Sequence, residues 1–184
     1  IAILATDGFE RSELIKPKEA LEKAGADVQI VALKTGEIRS WDKKDWGDTV
    51  DVDLIVSDTT ADDFDALMLP GGVMSPDSLR INEEAVQFVR GFVLDSKPIA
   101  AICHGPWTLI EAGAVQGKRM TSWPSLKSDL ENAGAEWIDA EVVTDNGLIT
   151  SRKPEDLAAF NKKMIETFAE GRYEASQASR GVFE

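Results

Sequence analysis

The sequence predicts an α/β fold, with a mostly parallel sheet covered by helices on both faces. Three observations predict it. Short apolar runs alternate with segments of helical period along most of the chain, which is the pattern of strands joined by helical crossovers. The run Pro98-Ile99-Ala100-Ala101-Ile102 is apolar throughout and too short for a helix, as expected of a parallel strand buried on both faces. Several such runs end in turn residues just before a helix: Thr6-Asp7-Gly8-Phe9, Pro70-Gly71-Gly72 and Cys103-His104-Gly105-Pro106. In sheets of this kind ligands bind at the carboxyl ends of the strands.

Residues 1–5 read as a first buried strand and 6–9 as the turn after it. Residues 10–24 read as a helix with Leu14, Ala20, Leu21 and Ala24 on its apolar side and Gly25 ending it. Residues 27–33 form a second strand. Residues 34–57 carry turn residues at Thr35-Gly36 and Trp46-Gly47-Asp48 and read as a hairpin excursion off the main sheet. Residues 64–69 are the next core strand. Residues 82–95 are a helix with Ala85, Phe88, Val89 and Phe92 at helical spacing. After the Cys103 turn come a helix at 127–133, a hairpin over 141–145 and 148–151 turning at Asn146-Gly147, and a last helix at about 156–170. Its apolar face is Leu157, Phe160, Met164 and Phe168. Residues 1–172 form a single α/β domain on this reading, and 173–184 a tail or oligomer contact.

Cys103 therefore lies at a strand-to-helix elbow, where Pro106 suits the first helical turn because its missing N–H is not needed there. Free backbone N–H groups and the helix dipole at such a point favour a thiolate and can form an oxyanion hole. The chain has one cysteine and one histidine, side by side at this turn. A lone cysteine is most often a small buried hydrophobe, but an inert one needs no elbow. Gly71 and Gly72 offer unobstructed backbone N–H groups for half of an oxyanion hole, with the His104 amide as the other half; a tight turn alone would also explain them. Glu10 and Glu13 lie three residues apart in the first turn of their helix, so both could face the same pocket. Acidic residues favour helix N-termini in any case, which accounts for Glu10. Glu13, held protonated by burial, would hydrogen-bond to the sulfur. His104 serves as acid/base if the elbow returns its ring to the pocket, with Asp77 to orient it, although Ser75-Pro76-Asp77 equally reads as a helix-capping turn. Glu10 and Trp107 complete the candidate substrate contacts.

Composition narrows the function classes. The net charge of −13 argues against nucleic-acid and anionic-membrane binding. No apolar stretch approaches the ~20 residues that cross a bilayer. A single cysteine precludes an intrachain disulfide framework and fits a reducing, cytoplasmic compartment. No metal or other cofactor is expected.

The segments Ala101-Ile102-Cys103-His104-Gly105-Pro106-Trp107, Leu69-Pro70-Gly71-Gly72 and Asp7-Gly8-Phe9-Glu10, followed by Glu13-Leu14, resemble the PfpI family of intracellular cysteine proteases and deglycases. Met120-Thr121-Ser122-Trp123 and the stretch from Thr150 to Leu157 resemble it as well. The resemblance implies a flavodoxin-like three-layer sandwich and a homo-oligomer, either a dimer or a dimer-based hexamer. It implies Cys103 as nucleophile, Glu13 contacting its sulfur and His104 as acid/base. An acidic residue after the glycine turn reaches the histidine from a neighbouring subunit in such proteins. The matching position is Asp77, in a turn that reads Val73-Met74-Ser75-Pro76-Asp77 and carries Asp, not Glu. The implied activity is a stress-protective cysteine-dependent hydrolase acting on peptides, on glyoxal or methylglyoxal adducts, or on free 2-oxoaldehydes through a hemithioacetal. The related glutamine amidotransferases need a histidine late in the chain, and none is present. The alternative reading is a non-enzymatic redox sensor in which Glu13 stabilises oxidised Cys103. A binding module that keeps the elbow without chemistry is the third.

Overall fold

The computed structural model describes residues 1–174. In chain order the elements are β1 (Ala2–Leu4), β2 (Phe9–Glu10), α1 (Arg11–Lys23), β3 (Gln29–Ala32), β4 (Glu37–Asp42), β5 (Asp45–Asp51), β6 (Leu54–Ile55), β7 (Leu67–Leu69), α2 (Met74–Arg80), α3 (Glu83–Leu94), β8 (Ile99–Ile102), α4 (Pro106–Glu111), β9 (Arg119–Met120), α5 (Lys127–Asn132), β10 (Glu136–Trp137), β11 (Val143–Asp145), β12 (Leu148–Ser151) and α6 (Leu157–Glu170). The main sheet has the order β11-β12-β8-β7-β1-β3-β6. Its pairs are parallel except β11–β12, the hairpin read from Asn146-Gly147. Both turn residues take positive φ, 44° and 80°, which suits Asn and Gly.

The strands alternate their side chains between two cores. Ala2, Leu4, Ile99 and Ala101 face one, with Phe88, Val89 and Phe92 of α3 and Leu109 of α4. Ile3, Ala5, Ala100 and Ile102 face the other, with Leu14 and Leu21 of α1 and Phe160 and Met164 of α6. A strand buried on both faces has no solvent side to mark with polar residues, hence the unbroken apolar runs. The result is the three-layer α/β sandwich of flavodoxin-like folds. α3 begins where Asn82 caps it, accepting a hydrogen bond from the Ala85 N–H at 2.9 Å.

The structure corrects four expectations. The excursion turns at Lys43-Lys44, not at Trp46-Gly47-Asp48, because Lys43 takes the left-handed conformation (φ 59°) while Gly47 lies inside β5. There a Cβ on Gly47 would meet the Ser40 hydroxyl at 2.5 Å. The same segment rejoins the main sheet at β6, which pairs with the edge of β3. Residues 74–80 are a helix, with the Asp77 N–H donating to the Val73 carbonyl. The strand expected over 64–69 is confined to residues 67–69: Phe64 ends a 3-10 turn over 61–63, and pairing with β1 begins only at Leu67. β9 and β10 pair as a small parallel sheet, too short to leave a periodic signal. Residues 173 and 174 run alongside the main domain, with the Tyr173 N–H bonded to Ser96; the rest of the expected tail lies outside the described residues.

Candidate active site

The neighbouring strands β12, β8, β7 and β1 release their loops at one end of the sheet, and those loops build a cleft. Its volume is about 490 Å³, and it is lined by Cys103, His104, Glu13, Glu10, Gly72, Val73, Trp41, Lys43, Trp123, Lys153, Pro154 and Glu155. Cys103 directly follows β8 and takes the left-handed region, φ 61°, a strained conformation for a non-glycine residue and a mark of functional turns. The surrounding backbone holds it there. Its N–H donates to the Ser151 carbonyl, its own carbonyl accepts from Trp123, and the Gly105 N–H closes the turn onto Ile102.

The turn brings the adjacent side chains together. Cys103 Sγ lies 3.2 Å from His104 Nδ1. The His104 ring meets Trp107 edge-on, with centroids 4.9 Å apart, and stacks at 6.2 Å from Trp123. Burial lowers its pKa, so the imidazole is neutral near pH 7. With the proton on Nε2, Nδ1 accepts from the thiol.

Glu13 projects from the first turn of α1 and is fully buried. Neither of its oxygens has a well-formed hydrogen bond. The Gly71 amide and the Cys103 thiol are nevertheless the nearby polar groups that favour its charged form. Burial, aided by the charge of Glu10, outweighs them and raises Glu13 to about 8, so it stands as a neutral acid at pH 7. Burial also pushes the Cys103 thiol up, and a charged Glu13 would push it further. A strand-to-helix elbow favours the thiolate; desolvation of a cysteine that is only 7% exposed reverses that direction in the resting site. The groups that favour the sulfur anion are the backbone N–H groups of Gly72 and His104.

The titration of Glu13 has a consequence for stability. Between about pH 4.5 and 8 the folded chain keeps this proton and the unfolded chain loses it, so the fold binds more protons and its stability falls as pH rises. Glu13→Gln removes that penalty. Its melting temperature relative to wild type is expected to climb steadily from pH 5 to pH 8. A difference that stays constant with pH would mean that Glu13 is ionised throughout.

The remaining expected site residues fall into different places. Gly72 takes φ 82°, and a Cβ there would meet the Gly8 carbonyl at 2.5 Å and the Glu10 nitrogen at 2.6 Å. The Glu10 N–H in turn donates to Gly71, so the glycine turn is seated on β2. Gly71 lies behind the cleft surface, against Glu13 and Cys103. Glu10 lines the cleft, and burial raises its pKa. Trp107 does not line the cleft. It braces His104 from behind, donates its indole N–H to Asp129 at 3.0 Å and carries Arg80 over its ring. Asp77 is not in the cleft of this chain either: it is exposed on α2 and pairs with Arg80 at 3.5 Å. Reasoning from sequence missed Trp41, Lys43, Trp123 and Lys153. For Trp123 the available signal was the Trp-Pro turn after β9, and for Lys153 the end of β12 beside Cys103. Among the described residues no three His, Cys, Asp or Glu side chains converge as a metal site. No helix among them is long and apolar enough to cross a membrane.

Fold and site together define an α/β protein with a cysteine at a strand-to-helix elbow, a histidine on its sulfur and a buried carboxyl beside it. Residues 1–167 match the DJ-1/PfpI family, and the chain belongs to that family. It is 43% identical to a deglycase of Pyrococcus abyssi over 90% of this chain and 97% of that protein. It is 42% identical to general stress protein 18 of Bacillus subtilis over 90% and 95%. Among solved structures, a protein of Anabaena variabilis with DJ-1/ThiJ/PfpI-like and ferritin-like domains superposes with a TM-score of 0.86 at 35% identity. That match covers 91% of this chain and 47% of the two-domain protein.

Proposed function

We propose that the chain is a cysteine-dependent deglycase, removing 2-oxoaldehyde adducts from amines and thiols. The carrying observation is the 3.2 Å contact between Cys103 Sγ and a neutral His104 Nδ1. That is a thiol with its base already in hydrogen-bond reach.

On this reading His104 Nδ1 takes the thiol proton as Sγ attacks the adduct's former aldehyde carbon. The amine leaves with that proton, and a hemithioacetal remains on Cys103. His104 then moves the proton of this carbon to the neighbouring ketone carbon, the electron pair follows, and the hydroxyl proton passes to the ketone oxygen, so that one carbon is oxidised as the other is reduced. The product is a thioester of a 2-hydroxy acid, which water cleaves to the free acid and the thiol. The amides of Gly72 and His104 receive the oxygen that becomes negative. Glu13, neutral, donates to sulfur as it gains charge, and offsets the burial that holds the resting thiol protonated. Cofactor-independent catalysis is part of the proposal.

The dimensions of the cleft favour this over peptide hydrolysis. About 490 Å³ is the scale of a small-molecule site and suits one modified side chain better than several residues of extended peptide. A base at the sulfur favours turnover over a redox sensor, which needs no proton shuttle. The exposed Val73, Met74 and Ile81 on and beside α2 support a homo-oligomer in which Asp77 serves the His104 of a neighbouring copy. The single cysteine supports a cytoplasmic location.

The test is release of lactate and free amine from methylglyoxal-treated Nα-acetyl-lysine, followed by NMR. Wild type is expected to turn over, Cys103→Ala to be inactive, and His104→Ala to lose roughly 10²–10⁴-fold in rate. Turnover that survives Cys103→Ala would sink the proposal. If the peptide reading is right, a fluorogenic peptide will be cleaved while the adduct is untouched.

A further inference from the structure

We infer that Lys43 and Lys153 form an anion subsite at the mouth of the cleft, selecting carbonyl substrates that carry a carboxylate or phosphate. The inference rests on the proposed reading of the site and names its substrate class. Both lysines line the cleft that holds Cys103, and they come from unrelated parts of the fold. Lys43 occupies the tip of the β4–β5 hairpin, at φ 59°. Its carbonyl accepts from the indole of Trp41 at 3.2 Å, which ties the hairpin tip to another residue lining the cleft. Lys153 follows the end of β12, one residue beyond an arginine fixed on both sides.

Their place sets them apart: both stand on the cleft that holds Cys103, and neither is neutralised there. Of the nearby cations, Arg152 pairs with Asp156 and Asp139, Lys34 with Asp7 and Arg11 with Asp48, while Lys44 has no ion pair among the described residues. Among the described residues neither Lys43 nor Lys153 has an ion pair. Glu155 and Glu10 also line the cleft without pairing to either lysine. Two unpaired ammonium groups from separate loops, lining the same cleft as the Cys103 thiol, present a site for a ligand's negative charge. The proposed reaction also produces one: the 2-hydroxy acid leaves as a carboxylate, while a neutral adduct arrives without it.

Matched substrates isolate the charge. Methylglyoxal adducts of N-acetylcysteine and of its amide differ by one carboxylate; adducts of GMP and guanosine differ by a phosphate. Wild type is expected to prefer the charged member by roughly five- to tenfold in kcat/KM, carried by KM, as two partly exposed ion pairs would give. The Lys43→Gln/Lys153→Gln variant should bring that ratio to about one, and higher salt should reduce it in wild type. A preference in only one pair identifies carboxylate or phosphate as the ligand. Equal rates within both pairs, or a ratio unchanged in the variant, would overturn the inference.

A second readout does not need turnover. Lactate and inorganic phosphate are added separately during alkylation of Cys103 by iodoacetamide. Protection by either anion in wild type, lost in the double variant, upholds the subsite even if no adduct is hydrolysed. Absence of protection by both, or protection that persists in the variant, counts against it.

Discussion

Gly71→Ala is expected to cost at least about 10²-fold in kcat/KM, because the added methyl has nowhere to go. Its Cβ would lie 2.2 Å from Glu13 Oε2, 2.6 Å from Cys103 Cβ and 2.9 Å from the Ile102 carbonyl. Glu13 is fully buried on α1 and cannot swing to solvent. Cys103 is held on both backbone sides by Ser151 and Trp123, so relief must come from displacing the carboxyl or the sulfur. A displacement of about 1 Å near a reacting atom is enough for a loss of that size. The overpacking should also cost about 1–3 kcal/mol of stability. Steady-state kinetics paired with a urea melt separate the two effects. A folded Gly71→Ala variant with wild-type kcat/KM would show that the Glu13–Cys103 spacing is not part of the chemistry.

Phe92→Ala is expected to destabilise the fold by about 3–5 kcal/mol, the usual range for truncating a buried phenylalanine. Phe92 is fully buried between α3 and the sheet. Its ring meets Phe88 edge-on at 5.2 Å and lies tilted at 6.4 Å from Phe64. Removing it opens a void that two rings on other turns cannot fill without leaving their rotamers. Against a total of roughly 5–15 kcal/mol for a domain, that is a large fraction. Leu94, 59% exposed on the same helix, is the control: Leu94→Ala should shift the urea midpoint little, with an effect within about 0.5 kcal/mol. Comparable losses at both positions would mean that the ring cluster contributes less than its burial implies.

The layers of the fold were legible because each rests on a local pattern. The apolar run ending at Ile102, Asn82 at the start of α3 and the Asn146-Gly147 turn express dihedral preferences and burial that a short window of sequence contains. The same holds for the elbow, where strand, Cys103, Gly105 and Pro106 are contiguous. The hairpin tip was misplaced for the opposite reason. Trp46-Gly47-Asp48 has turn composition, but cross-strand packing of Trp41 on Trp46, ring centroids 5.6 Å apart, draws those residues into β5. The bend then falls to Lys43, a residue with no special preference for positive φ. Ser75-Pro76-Asp77 reads as a capping turn because proline and aspartate suit both a cap and a first helical turn, and only the packing of α2 against α3 and α4 decides between them.

The site divides in the same way. Sequence by itself determined that Cys103 and His104 stand at a strand-to-helix turn, that Gly71-Gly72 ends a buried strand, and that Glu13 belongs to the first turn of a helix. Tertiary structure alone decided that β12, β8, β7 and β1 lie side by side, so that these turns and the Lys153 loop share one cleft. It also decided that the hairpin adds Trp41 and Lys43, and that Asp77 and Trp107 face elsewhere. The direction of each pKa belongs to the same account. A free helix N-terminus favours a thiolate, but burial of Cys103 and Glu13 against each other opposes charge on either. The physical reason is one of range: backbone geometry and capping act between neighbours in the chain, whereas desolvation and packing depend on which distant residues fill the remaining space.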